Sequence, residues 1–187
     1  LRSALGGREV TIGTLLRNDA DGSLYIDLLV PVRETAFGTA GAEPSVALLA
    51  LLVLRLDPAQ FLFPLIDSWP TATRTAETLL VRREGNEVVF LNELRHRMGT
   101  ALTLRRSMSD VALPAVNAVV GGPKIVEGTD YRGVPVLAAT RSIPGTPWFM
   151  VAKIDVEEAY APIRTEFWQT CLIVAGLVMI VILGAFH

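Results

Sequence analysis

The sequence predicts an α+β domain of antiparallel strands carried on a single membrane-spanning helix. Three features point there: a charge-free run at residues 167–186, strand-like segments separated by turn sequences, and an internal repeat of a turn, two strands and a capped helix. Twenty residues at about 1.5 Å each make a helix of roughly 30 Å, the thickness of a bilayer's hydrocarbon core. Phe167 and Trp168 stand at its upstream end, where amphipathic rings favour the headgroup level.

Residues 11–17 (TIGTLLR) and 24–32 (LYIDLLVPV) are rich in β-favouring residues and flank Asn18-Asp19-Ala20-Asp21-Gly22, which predicts a hairpin. A loop containing Gly and Pro, residues 33–44, leads to the apolar run 46–54, too short to span and read as a buried strand. Asp57-Pro58 then starts a helix, with Asp as N-cap and Pro at the first helical position, expected to stop near Pro64.

After Trp69-Pro70 the pattern begins afresh. Residues 78–83 and 87–91 flank Glu84-Gly85-Asn86 as a second hairpin, residues 92–110 are basic and irregular, and 111–120 predict a helix closed by Gly121-Gly122-Pro123. Three strands follow, at 124–130, 134–142 and 148–154, joined by Asp130-Tyr131-Arg132-Gly133 and Pro144-Gly145-Thr146-Pro147. Asp155 caps the final helix, with Glu158 placed to complete a capping box.

The two halves repeat. Arg55-Leu56-Asp57 matches Lys153-Ile154-Asp155, Pro64 matches Pro162, and Asp19-x-x-Gly22 matches Asp130-x-x-Gly133. The second half therefore predicts a five-stranded antiparallel sheet with flanking helices; the first half shows only its last three strands and closing helix. The expected division is a partial lobe at 1–67, a second lobe at 68–164 and the span at 165–187. No secretory segment opens the chain, so an upstream export segment is expected, and the chain reads as cut at both ends.

Net charge of −2 gives no case for nucleic-acid binding, and Cys171, the only cysteine, lies within the span. Arg outnumbers Lys fifteen to two. With two histidines, His96 and His187, and no H-x-x-x-H, C-x-x-C, G-x-S-x-G or phosphate-loop motif, neither an enzyme nor a cofactor is expected.

The stretch 128–139 (GTDYRGVPVLAA), followed by 147–155 (PWFMVAKID) ahead of the span, resembles the membrane-proximal part of double Cache sensor domains. These are extracytoplasmic, PAS-like modules of bacterial histidine kinases, diguanylate cyclases and chemoreceptors. The resemblance implies two PAS-like lobes, a ligand often held in the distal one, a homodimer in the inner membrane with its domain facing the periplasm, and output passed down the final helix. It implies no ligand contacts, because the family's amino-acid-binding motif has no match in this chain.

Candidate ligand-binding residues come from the residues themselves. Arg95 and Arg97 offer guanidinium forks that suit a carboxylate or phosphate, so an anionic small molecule is the expected ligand; a solvated basic loop is the plainer alternative. Tyr131 at a turn and Trp148 at the head of an apolar strand are the other candidates, Trp148 also reading as core. Membrane lipid is the remaining expected partner. Pro162 predicts a kink or break in the last helix, and Gly176 and Gly184 share a helix face suited to close packing between subunits. The competing function is a membrane-tethered interaction or structural domain that takes no small molecule.

Overall fold

Turn chemistry and the period of apolar residues set the strands. In the computed structural model, which describes residues 10–36, 45–69 and 72–185, the order is β1 (Thr11–Arg17), β2 (Leu24–Ala36), β3 (Ser45–Leu56), α1 (Pro58–Asp67), β4 (Glu77–Glu84), β5 (Glu87–Phe90), β6 (Arg105–Ser107), α2 (Pro114–Val120), β7 (Ile125–Thr129), β8 (Pro135–Ser142), β9 (Trp148–Asp155) and α3 (Val156–Ala185). The strands form two antiparallel sheets, β1-β2-β3 and β6-β5-β4-β9-β8-β7. Gly22 and Gly133 close the turns before β2 and β8 at φ of 74° and 83°, a region that favours glycine.

The six-stranded sheet is apolar on both faces because side chains alternate along each strand. Leu79, Val81, Phe90, Ala138 and Val151 point to one face and pack under α2 and Tyr131. Leu80, Leu91 and Trp148 point to the other, where Leu15, Ile26 and Ile66 of the smaller sheet and α1 cover them. Two arginines staple the sheets together: Arg17 Nη2 donates to Ala101 O at 2.7 Å, and Arg82 reaches Thr14 and the Leu15 carbonyl.

Several expectations are corrected. The larger sheet has six strands rather than five. The sixth, β6, lies in the stretch read as irregular; Arg105-Arg106-Ser107 has no apolar alternation, and its pairing with β5 is helped by Arg105 bridging Glu84 and Glu87. The run read as a buried strand is the edge strand β3. Leu49, Leu52, Val53 and Leu54 are exposed, Leu49 by 60%, because among the described residues only β2 pairs with β3 and little covers its two faces. Strand β2 extends into the predicted loop as far as Ala36, while residues 37–44 lie outside the described residues.

Helix α1 is capped by Asp57, which accepts from Ala59 N at 2.9 Å, as the Asp-Pro pair predicts. It passes through Pro64 to Asp67 rather than stopping there. Packing of Leu62, Phe63 and Ile66 against the sheet holds the last turn despite the lost backbone bond. Likewise α3 is not broken at Pro162. One missing bond in its second turn is outweighed by the long helical run that follows. The capping box does not form either. Glu158 turns away from Asp155 and binds the chain ahead of β4, accepting from Arg74 N and Thr75 N at 2.9 Å each and from the Thr75 hydroxyl.

Candidate functional site

Strands β4 and β9 place Glu77 directly opposite Lys153. Both side chains fall on the α2 face of the sheet and are buried, Lys153 to 1% exposure. An ammonium so enclosed requires partners, since an isolated buried charge costs several kcal/mol. Lys153 Nζ lies 3.0 Å from Glu77 Oε2 and 2.7 Å from Asp130 Oδ2, and 4.9 Å from the centre of the Tyr131 ring. The Tyr131 hydroxyl donates to Glu77 Oε2 at 2.9 Å. Arg132 extends the network, pairing with Asp130 at 2.7 Å and with Asp155, the last residue before α3.

The electrostatics follow from this geometry. Burial pushes the Asp130 carboxyl up, but hydrogen bonds from Lys153 and Arg132, with the Lys153 charge, outweigh it and hold the group below the ordinary carboxylate range. Burial, the Glu77 charge and the hydrogen bond to Glu77 push Tyr131 above the ordinary phenol value. Tyr131 is therefore a neutral donor.

Glu77 also forms the wall of a cavity of about 290 Å³, at the small end of the range for ligand pockets. Asp67 at the end of α1, Trp69, Glu93, Arg95 and Met98 complete it. Glu93 is occupied by the amides of Thr100 and Ala101 at 3.0 and 3.3 Å. Arg95 donates one Nη1 bond to Ala76 O at 2.7 Å, and its backbone amide bonds Glu77. The indole Nε1 of Trp69 is buried without a partner among the described residues. Asp67 is pushed up by burial and then by the Glu77 charge, partly offset by Arg95. The cavity thus presents the remaining donors of the Arg95 guanidinium beside the carboxyl groups of Asp67, Glu77 and Glu93.

Of the four candidates from the sequence, only Arg95 lines this cavity. Arg97 is exposed outside it, its amide bonded to Leu94 O. Tyr131 lies buried behind the wall, edge-on to Phe90 and joined to the cavity through Glu77. Trp148 belongs to the core on the opposite face of the sheet, so the structure does not bring it near the others. Sequence reasoning missed Glu77, Lys153 and Asp67. Lys153 carried a signal: a lone cation in the apolar strand Trp148–Asp155, at a position facing the core. Among the described residues no group of three or more potential ligands is placed to hold a metal.

No family model matches the chain, and no curated protein does. Solved structures resemble it. The ligand-binding domain of the Pseudomonas fluorescens chemoreceptor CtaA with L-leucine aligns at 15% identity over 85% of this chain and 59% of that one, with a TM-score of 0.48. The ligand-binding domain of the Pseudomonas aeruginosa amino acid chemoreceptor PctC with GABA aligns at 19% identity over 82% and 59%, with a TM-score of 0.49. The periplasmic sensory domain of the Campylobacter jejuni chemoreceptor Tlp1 aligns at 13% identity over 84% and 53%, with a TM-score of 0.51. This chain thus spans a little over half the length of the sensor domains it matches. Its fold is shared with the Tlp1 domain.

Proposed function

We propose that this chain is the extracytoplasmic ligand-sensing region of a bacterial membrane receptor, whose signal leaves through α3. One observation carries the reading. The last strand of the sheet passes into a 30-residue helix with no linker, and the apolar part of that helix is long enough to cross a bilayer. A shift of the lobe therefore reaches the span through a rigid element, as a bias between two arrangements. The Cache-type fold supports the sensing role. In this reading the domain faces the periplasm, α3 crosses the inner membrane, and the receptor is a homodimer.

The division into a partial distal lobe at 1–67, a proximal lobe at 68–164 and a span from 165 is supported by the repeat. Strands β7-β8-β9 with α3 are matched by β1-β2-β3 with α1, and β9 is covered on its other edge by β4. Strand β3 occupies the place of β9, which accounts for an apolar strand whose outer edge has no partner among the described residues.

The cavity beside Glu77 is the proposed ligand site in the proximal lobe, taking a small carboxylate on the Arg95 guanidinium. Titration of small carboxylates against thermal stability tests this. Stabilisation of the wild type that is lost in Arg95→Ala supports the site; no stabilisation, or stabilisation unchanged in that variant, refutes it. For output, insertion of three glycines after Arg164 in the full-length receptor is expected to uncouple signal from ligand, and normal signalling would refute the lever.

A further inference from the structure

We propose that the cleft where α3 leaves the lobe binds a phospholipid headgroup carrying both a phosphate and an ammonium, a phosphoethanolamine. The proposal rests on the reading of α3 as a span. The cleft, about 290 Å³, is walled by Arg74 ahead of β4 and by Glu157, Glu158, Arg164 and Trp168 along one side of α3. Arg164 precedes Phe167, where the charge-free run begins, by three residues, or roughly 4.5 Å of helix. Trp168, 64% exposed, stands one turn beyond it. The cleft thus opens at the height where headgroups lie.

Its charges select the headgroup. Among the described residues, the side chains of Arg74 and Arg164 take part in no ion pair. Glu158 is occupied by the amides of Arg74 and Thr75, and Asp155 by Arg132. Glu157 has no such partner among the described residues. Two unpaired guanidiniums beside one unpaired carboxylate complement a phosphate with an adjacent ammonium better than a headgroup that is only anionic. A lipid held there touches both the lobe, through Arg74, and the span, through Arg164, and so braces the same junction that Glu158 closes.

The test uses the full chain reconstituted in liposomes of equal phosphatidylethanolamine, phosphatidylcholine and phosphatidylglycerol, extracted in mild detergent and weighed with its bound lipid by native mass spectrometry. Phosphatidylethanolamine is expected to be enriched. Arg74→Gln and Arg164→Gln should each lower its retention about fivefold, the effect of roughly 1 kcal/mol per surface arginine. Arg164→Lys should keep most of it, which separates charge from any effect on folding, and Glu157→Gln should abolish the preference over phosphatidylglycerol. Wild-type retention in the Arg74→Gln/Arg164→Gln double variant, or enrichment of phosphatidylglycerol in the wild type, overturns the proposal. A chain that fails to float with the liposomes overturns the span and the lipid site together; one that floats without headgroup preference overturns the lipid site alone.

Discussion

Replacing Lys153 with Met removes the one ammonium that faces both Glu77 and Asp130 while nearly preserving the shape of the stem. The lost bonds are those at 3.0 and 2.7 Å, and the two carboxylates are then left buried with fewer partners. Removing one member of a buried ion pair costs about 3–5 kcal/mol, most of it the desolvation of the charge left behind. Asp130 keeps Arg132, and Glu77 keeps Tyr131 and the Arg95 amide, so the lower end, about 3 kcal/mol, is expected. Urea unfolding of the full chain in micelles, followed by the fluorescence of buried Trp148, should show a midpoint about 1–2 M lower. Adding Glu77→Gln to Lys153→Met removes one of the stranded charges, so the double variant should be less destabilised than the sum of the singles by about 1–3 kcal/mol. A loss under about 1 kcal/mol for Lys153→Met, or strict additivity, would refute the claim that the cluster acts as a unit.

Asp130, held below its unfolded value, contributes stability that is full above about pH 4 and lost as pH falls through its folded value. The acid limb of a stability–pH curve should therefore flatten in Asp130→Asn. Tyr131→Phe removes the bond to buried Glu77 and should cost about 1–3 kcal/mol in the same urea assay. At Gly128 an added Cβ would meet the Ala112 carbonyl oxygen at 2.3 Å and Pro114, so Gly128→Ala should lower stability by about 1–3 kcal/mol through displacement of the α2 approach. Glu158→Ala should raise hydrogen exchange at the amides of Arg74 and Thr75 while leaving β8 unchanged.

Local chemistry was readable from the sequence wherever one residue type settles the matter. The Asp57-Pro58 cap, the glycine turns before β2 and β8 and the charge-free helix all follow from single-residue physics. Neighbours distant in sequence decided the rest. Strand β3 has the composition of a buried strand, but burial depends on which strand lies beside it, and nothing within 46–54 encodes that. Glu158 sits at capping-box spacing, yet an amide pair more than eighty residues upstream competes for its carboxylate and wins. The candidate site shows the same division. Arg95 was found as a guanidinium in a basic loop, whereas Glu77 has a role only because β4 pairs with β9 in the register that sets it opposite Lys153.

The way α3 is fastened follows from its composition. Its large apolar residues from Phe167 to Leu183 are exposed, so they offer the lobe no buried face. Attachment is left to the first turns and to polar side chains: Asp155 on Arg132, Glu158 on residues 74 and 75, and Tyr160 on Glu127 at 3.2 Å. Such bonds are directional and few. They are either made or broken, unlike an apolar interface that can slide by fractions of an ångström. Asp155 and the buried Lys153 cluster share Arg132, and the cluster shares Glu77 with the cavity, so four successive ion pairs (Glu77–Lys153, Lys153–Asp130, Asp130–Arg132 and Arg132–Asp155) connect the cavity wall to the helix start. Breaking Arg132–Asp155 with Arg132→Gln should therefore loosen the start of α3, and through Asp130 also weaken the hold on Lys153. Hydrogen exchange rising at residues 156–160 alone would show that the two ends are independent; exchange rising there and at the β4 amides around Glu77 together would show that they are one device.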